Sequence, residues 1–100
     1  MPVRIDAKNA KLSDSTKEHI NKACAKFGQF YDRIVDTDVI VDTQASNHVS
    51  TVEIIVKVPN QRLVGKAEAD DTNLFKAIDE AASHVEPQLK KYHDKQLQHR

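Results

Sequence analysis

The sequence predicts an α+β domain of order βαβββα, in which a four-stranded mixed sheet carries two helices packed on one face. Four segments alternate apolar and polar residues as half-buried strands do, and two longer segments repeat apolar residues at helical spacing. The helix between the first two strands is a crossover, so those strands should be parallel, whereas the later strands can pair as hairpins. Because each strand has one apolar face, both helices are expected on the same side of the sheet.

The first strand and the first helix lie in the N-terminal third of the chain. Apolar residues such as Val3 and Ile5 alternate with charged ones and predict a strand. A helix is predicted over about residues 14–30, and Ser15 and Glu18 have the spacing of a capping box near its start. The apolar stripe of this helix consists of Ile20, Ala23, Cys24, Phe27 and Tyr31.

Three further strands are predicted, with turn residues at 47–48 and 59–61 between them. Their inward faces are Thr37, Val39, Val41 and Thr43, then Val52, Ile54, Val56 and Val58, then Leu63, Gly65, Ala67 and Ala69. The outward face of the second strand is acidic, with Asp36, Asp38 and Asp42. The outward faces carry no aromatic residues of the kind that stack bases in an RNA-recognition sheet, so a binding surface is expected on the helices.

The second helix is predicted from an apolar stripe that consists of Leu74, Ile78, Ala81, Val85, Leu89 and Tyr92. Pro87 is expected to bend or interrupt it, because proline cannot donate a hydrogen bond to the Ser83 carbonyl and disfavours helical geometry at Glu86. Phe75 and Tyr92 are expected to close the ends of the core.

Size and charge limit the possible functions. One hundred residues make one domain, predicted to span residues 1–100, and no run approaches the roughly 18 apolar residues of a membrane span. The chain is neutral, but residues 1–31 carry six basic and three acidic side chains, residues 32–83 five and ten, and residues 84–100 four and two. This clustering permits a polyanionic partner that the net charge alone would not suggest.

The residue types do not predict catalysis, a metal site or a cofactor. The five histidines lack the spacing of metal ligands, and no Ser–His–Asp set, phosphate loop or catalytic carboxylate pair can be argued from spacing. The single cysteine, Cys24, is expected to be a buried core residue rather than a nucleophile. With no internal disulfide and no secretory segment, a reducing cytoplasm is the expected compartment.

Basic residues form two lines at helical spacing. The first is Lys22, Lys26, Gln29 and Arg33, and the second is His84, Lys91 and Lys95, with Lys90 one position away. If the helices pack side by side, the two lines could face one common groove of positive potential, and flexible ammonium groups suit contact with phosphate. The alternative is that these lysines only solvate exposed helix faces.

Four segments carry a resemblance to a known family: residues 26–34 (KFGQFYDRI), 73–79 (NLFKAID), 88–91 (QLKK) and 94–95 (DK). On these segments the sequence resembles the short-form bacterial ribosome hibernation promoting factors, also described as ribosome-associated inhibitors or sigma-54 modulation proteins. The resemblance runs the length of the chain. It implies a fold similar to a double-stranded-RNA-binding domain, in a single hibernation-factor domain without the C-terminal dimerisation domain of longer relatives.

The resemblance also implies a cytoplasmic translation inhibitor of stationary phase or stress, whose partner is the small ribosomal subunit and its rRNA. Such proteins occupy the channel for mRNA and tRNA and perform no chemistry, and joining two ribosomes would need a separate dimerising factor. Basic residues of the family are kept at Lys26, Arg33, Lys91 and Lys95; Lys22 and Lys90 are neighbours of such positions, His84 stands at another, and Tyr92 could touch a ribose or base. These eight residues are the predicted rRNA-binding set.

Two departures from the family pattern support a second interpretation. Pro87 stands where an arginine is usual, and His84 replaces a stronger base. The alternative function is a protein-interaction module of the same fold that binds an acidic partner, with RNA binding weakened or lost.

Overall fold

A computed structural model describes residues 3–44 and 46–98 of the protein. The elements are β1 (Val3–Lys8), α1 (Asp14–Ala25), β2 (Asp36–Gln44), β3 (Val49–Val58), β4 (Gln61–Asp70) and α2 (Leu74–Gln98), with short 3₁₀ turns at Lys26–Gln29 and Asp71–Asn73. The sheet order is β1-β2-β3-β4, in which β1 is parallel to β2 and the other neighbours are antiparallel. The predicted fold is confirmed.

The strands present the faces that their alternation predicts. Val39 is paired with Ile5 of β1 and Ile54 of β3, and Ile54 is paired with Gly65 of β4, so the inward residues form continuous rows across the sheet. Val39 and Ile54 are fully buried under the two helices. The β3–β4 hairpin closes through Pro59 and Asn60, and Asn60 takes the positive φ of 73° that the third position of a type II turn requires.

Helix α1 begins at Asp14 as predicted, but its cap differs from the prediction. The N-cap is Ser13, whose Oγ accepts a hydrogen bond from the Thr16 backbone N–H at 3.2 Å. The capping box expected at Ser15 and Glu18 is therefore wrong. Serine is a favoured N-cap residue at either position, and Ser13 takes the role because it directly precedes the first helical residue, Asp14.

Helix α2 is continuous over its 25 residues, so the prediction that Pro87 interrupts it is wrong. Both Pro87 and Ser83 are exposed, so water can bond to the carbonyl that loses its partner. On the opposite side of the helix, Val85 and Leu89 are fully buried before and after the proline. Packing of this stripe holds the two halves in one helix. No helix in the described part of the chain combines the length and apolar content needed to cross a membrane.

Replacing Pro87 with alanine should raise the free energy of unfolding by about 2 kcal/mol, because the helix regains a hydrogen bond and loses a steric conflict. Urea denaturation of the two proteins measures this difference, which is the amount by which Pro87 destabilises the continuous helix. Glu86→Ala, at the neighbouring half-buried position, is the control for changes in side-chain volume alone. No gain in stability from Pro87→Ala would show that the helix accommodates the proline without strain.

Cys24 lies in the core, as predicted, and is fully buried. Burial raises the pKa of its thiol to about 12, so the reactive thiolate is scarce at neutral pH. We therefore expect a thiol reagent such as Ellman's reagent to modify the native protein only as fast as the chain unfolds. Modification at the rate of an exposed thiol, with no dependence on added urea, would contradict this placement.

The two helices lie side by side and run in the same direction. Near their N-terminal ends His19 stacks on Phe75, with ring centroids 4.3 Å apart, and its Nε2 lies 2.8 Å from Asp79 Oδ1. After α1, the Tyr31 ring meets the edge of Tyr92 at 5.1 Å near the C-terminal end of α2. Tyr92 is buried as expected, but Phe75 is 43% exposed, so it covers His19 and does not close the core.

Several charged residues on the open face of the sheet form ion pairs with one another. Arg4 lies 3.0 Å from Asp38 and 3.7 Å from Asp36, and Lys57 lies 3.4 Å and 3.7 Å from the same two carboxylates. On the next strands Lys66 lies 3.4 Å from Glu53. The acidic row predicted on β2 is therefore largely neutralised within the sheet.

Candidate nucleic-acid interface

Seven of the eight predicted rRNA-binding residues are exposed: Lys22, Lys26, Arg33, His84, Lys90, Lys91 and Lys95. The structure gives none of the six lysine and arginine side chains in this set an ion pair with a carboxylate of residues 3–44 or 46–98. This distinguishes them from Arg4, Lys57 and Lys66 on the sheet. Their charge is available to an external anion.

One flank of α2 faces the outer strand β4. The Gln88 side-chain amide donates to the Val64 carbonyl at 2.8 Å and to the His84 carbonyl at 2.7 Å, which fixes the direction of this flank. Lys91 and Lys95 follow Gln88 by one and two helical turns and lie on the same flank. His84, Lys91 and Lys95 thus share one line, as predicted, and the line points away from α1.

The other flank of α2 faces α1. His93 contacts the Tyr31 ring, and Lys90, one turn before His93, lines a recess together with Gly28. On α1, His19 marks the flank that meets α2, and Lys22 follows it one turn later on that flank. Lys26, one turn further, continues the line into the 3₁₀ turn.

The expectation of one common groove therefore holds for only part of the set. Lys22 and Lys26 of the first line and Lys90 beside the second border the groove between the helices. His84, Lys91 and Lys95 lie on the far flank of α2, because consecutive residues 90 and 91 point about 100° apart around a helix. Spacing identified the lines, but it does not show on which side of α2 the other helix packs.

The C-terminal part of α2 and the segment that follows α1 meet the β3–β4 hairpin at one end of the molecule. The Tyr92 hydroxyl donates to the Pro59 carbonyl at 2.6 Å, and the Val35 N–H donates to the Lys57 carbonyl at 2.8 Å. We call this region the basic end, defined by Lys26, Arg33, Arg62, Lys90, Lys91 and Lys95. Arg62 was missed by sequence reasoning; its only signal was its place directly after the turn residues.

Tyr92 differs from the other candidates because it is 6% exposed and its hydroxyl is already bonded to Pro59. Burial raises the pKa of this hydroxyl above its usual value, and neighbouring Tyr31 raises it further. The phenol therefore stays protonated and keeps donating across the usual range of pH. These contacts fit a role in tying α2 to the β3–β4 turn.

Comparison with known proteins identifies the family. Residues 3–97 match the family model described as sigma 54 modulation protein / S30EA ribosomal protein. The chain belongs to this family. Among S30EA relatives, it is 26% identical over 95 residues to the ribosome hibernation promotion factor of Bacillus subtilis, and it is 27% identical over 99 residues to the ribosome hibernation promoting factor of Escherichia coli K12.

These relatives differ in length. The match covers 95% of this chain and 50% of the Bacillus protein, but 99% of this chain and 100% of the Escherichia coli protein. The chain thus spans about half the length of the Bacillus relative.

Solved structures share the βαβββα fold of this chain. A ribosomal subunit interface protein from Coxiella burnetii superposes with a TM-score of 0.83 at 22% identity, covering 94% of this chain and 99% of that one. The N-terminal domain of Protein Y from Thermus thermophilus gives a TM-score of 0.80 at 22% identity, with 92% and 99% covered.

Proposed function

We propose that this chain associates with ribosomes in the cytoplasm and inhibits translation under stationary phase or stress. Membership of the S30EA family and relatives named as ribosome hibernation factors support this role. The more specific proposal is that it occupies the mRNA and tRNA channel of the small subunit, held there by contacts with rRNA phosphates.

The observation that carries the specific proposal is the contrast between the two faces. Lys26, Lys90 and Lys91 on the helical side have no carboxylate within ion-pair distance among the described residues, whereas Lys57 and Lys66 on the sheet do. A polyanion gains more from cations that are not already neutralised. The helical side and the basic end are therefore the surface proposed to face rRNA.

In this mechanism the protein inhibits by occupancy. Lysine side chains contact phosphates without fixed geometry, so they position the domain on the backbone of folded RNA rather than reading its sequence. The open sheet face, where Arg4, Lys57 and Lys66 are ion-paired, faces away from the rRNA or toward the vacant channel. No bond is made or broken, so the proposal needs no catalytic group.

Co-sedimentation with ribosomes at increasing salt tests the proposal. For about four to six phosphate contacts, the logarithm of the binding constant should fall against the logarithm of salt concentration with a slope of roughly −3 to −5. Binding to the isolated small subunit, and its loss when mRNA and an initiator tRNA are already bound, would support placement in the channel. Binding unaffected by mRNA and tRNA would place the protein elsewhere on the ribosome.

The same experiment evaluates the alternative function, binding to an acidic protein partner. If the protein does not sediment with either ribosomal subunit at low salt, the proposed ribosome association is contradicted and the alternative is favoured.

A further inference from the structure

A recess of about 410 Å³ lies at the basic end, between the 3₁₀ turn after α1 and the C-terminal half of α2. Gly28 and Asp32 line one wall, and Lys90, His93 and Asp94 line the other. Sites that enclose a small molecule have volumes of about 300–1,000 Å³, so a single nucleotide base fits this space.

Gly28 lines the recess, although the fold does not require a glycine there. A Cβ at position 28 would meet no atom within 4 Å, and the glycine does not adopt a positive φ. Neither packing nor backbone geometry requires glycine here, although glycine in a helical turn costs roughly 1 kcal/mol relative to alanine. The missing side chain leaves the backbone of the 3₁₀ turn open to close approach by a ligand.

His93 provides a supported ring beside this opening. Its ring meets the edge of Tyr31 with centroids 6.2 Å apart, and Tyr31 is in turn held against Tyr92 at 5.1 Å. Tyr31 is 7% exposed, whereas the His93 side chain is 43% exposed. A half-exposed ring that rests on a ring held in the core is suited to stack on an unpaired base.

The charges around the recess favour a base over a phosphate. Lys90 contributes one cation, but Asp32 and Asp94 contribute two carboxylates at the same opening. Asp94 lies 3.8 Å from His93 Nδ1, whereas Asp32 is exposed and has no ion-pair partner in the described chain. Carboxylates repel a phosphate but accept hydrogen bonds from N–H groups on a base edge.

We propose that this recess binds one unpaired guanine nucleotide of single-stranded RNA. Guanine presents two adjacent donors, N1–H and N2–H₂, which match the two oxygens of the Asp32 carboxylate. The base stacks on His93, and Lys90 contacts the phosphate of the same nucleotide. The inference deepens the proposed function, and rests on it for the identification of the RNA as ribosomal.

A titration of the full ¹⁵N-labelled chain with pentanucleotides tests the site. The probes are UUGUU, UUAUU and UUUUU at low salt. UUGUU should bind roughly fivefold or more tightly than the other two, which is the smaller end of the discrimination that one bidentate base contact gives. Amide shifts should centre on Gly28, Asp32 and His93. Equal affinity for the three probes would overturn the proposal.

Two variants test the assigned roles. Asp32→Asn replaces one acceptor with a donor and should remove the preference for UUGUU, while Asp6→Asn, at an exposed carboxylate on β1, should retain it. Gly28→Leu fills the recess and should weaken the binding of UUGUU by roughly tenfold, with its thermal stability measured alongside to confirm folding. Retention of the guanine preference in both Asp32→Asn and Gly28→Leu would overturn the assignment.

Ribosome co-sedimentation separates this inference from the proposed function. Ribosome binding without any guanine preference in the oligonucleotides would reject the recess alone. A guanine preference without ribosome binding would reject the proposed function and leave the recess as an RNA site.

Discussion

Replacing Gly65 with alanine is expected to lower the free energy of unfolding by about 3 kcal/mol or more, which is the largest stability effect we expect from a single methyl group in this protein. A Cβ at this position would overlap the Ala81 carbonyl oxygen and lie 2.8 Å from Val85 Cγ2. The carbonyl belongs to the backbone of α2, so relief requires the helix to move away from β4. Chemical denaturation monitored by circular dichroism would measure the loss.

Gly28→Ala is the matched control, because it adds the same methyl group where nothing lies within 4 Å. It should be neutral or should stabilise the protein by up to about 1 kcal/mol, since alanine is the better helix former. Equal effects at positions 28 and 65 would show that the close packing of α2 on Gly65 does not limit stability.

Reversing Lys26 and Lys90 together to glutamate is expected to weaken ribosome binding by about a hundredfold, because each change removes a phosphate contact and adds a repulsion. The salt slope should become shallower by about 2, one for each lost contact. Both side chains are exposed, so thermal stability should change little. Co-sedimentation at several salt concentrations measures both quantities.

The structure supplies two comparisons for this double variant. Lys91 and Lys95 lie on the far flank of α2, so their reversal shows whether rRNA also reaches that side. Lys17 and Lys76 are exposed near the N-terminal ends of the helices and serve as the control, with little expected loss. Equal losses from the groove pair and the control pair would mean that overall charge, and no defined surface, drives binding.

Lys57 and Lys66 would be a poor control, although they are basic and lie on the opposite face. Lys57 lies within 4 Å of Asp36 and Asp38, and Lys66 lies 3.4 Å from Glu53. A glutamate at either position would stand beside existing carboxylates and destabilise the sheet. A fall in ribosome binding could then reflect partial unfolding.

The fold followed from the sequence because its signals are local and repeated. Strict alternation in β3 fixes which face is buried, and a one-residue shift would have exposed Val52 and Ile54. The continuity of α2 through Pro87 was not predictable in the same way. It depends on the burial of Val85 and Leu89 and on the exposure of Ser83, which are tertiary properties.

The sequence predicted which basic residues share a helix face, but not how the two helices arrange those faces. Helical spacing grouped His84, Lys91 and Lys95 correctly, yet it gave no information on the position of α1 around α2. That position is set by contacts such as His19 with Asp79, which join residues 60 apart in the chain. Arg62 was overlooked because its role depends on where the β3–β4 turn lies relative to the helix ends.

The parallel direction of the two helices has an electrostatic consequence. Each helix carries a macrodipole equivalent to about half a negative charge at its C-terminal end, and antiparallel neighbours would largely cancel. Here Lys26 is the C-cap of α1 and Lys95 lies in the last turn of α2, so a lysine stands beside the partial negative charge of each helix. The lysines must first offset that charge before the region attracts phosphate. Segregating the cations at this end therefore allows a chain with no net charge to present a positive surface.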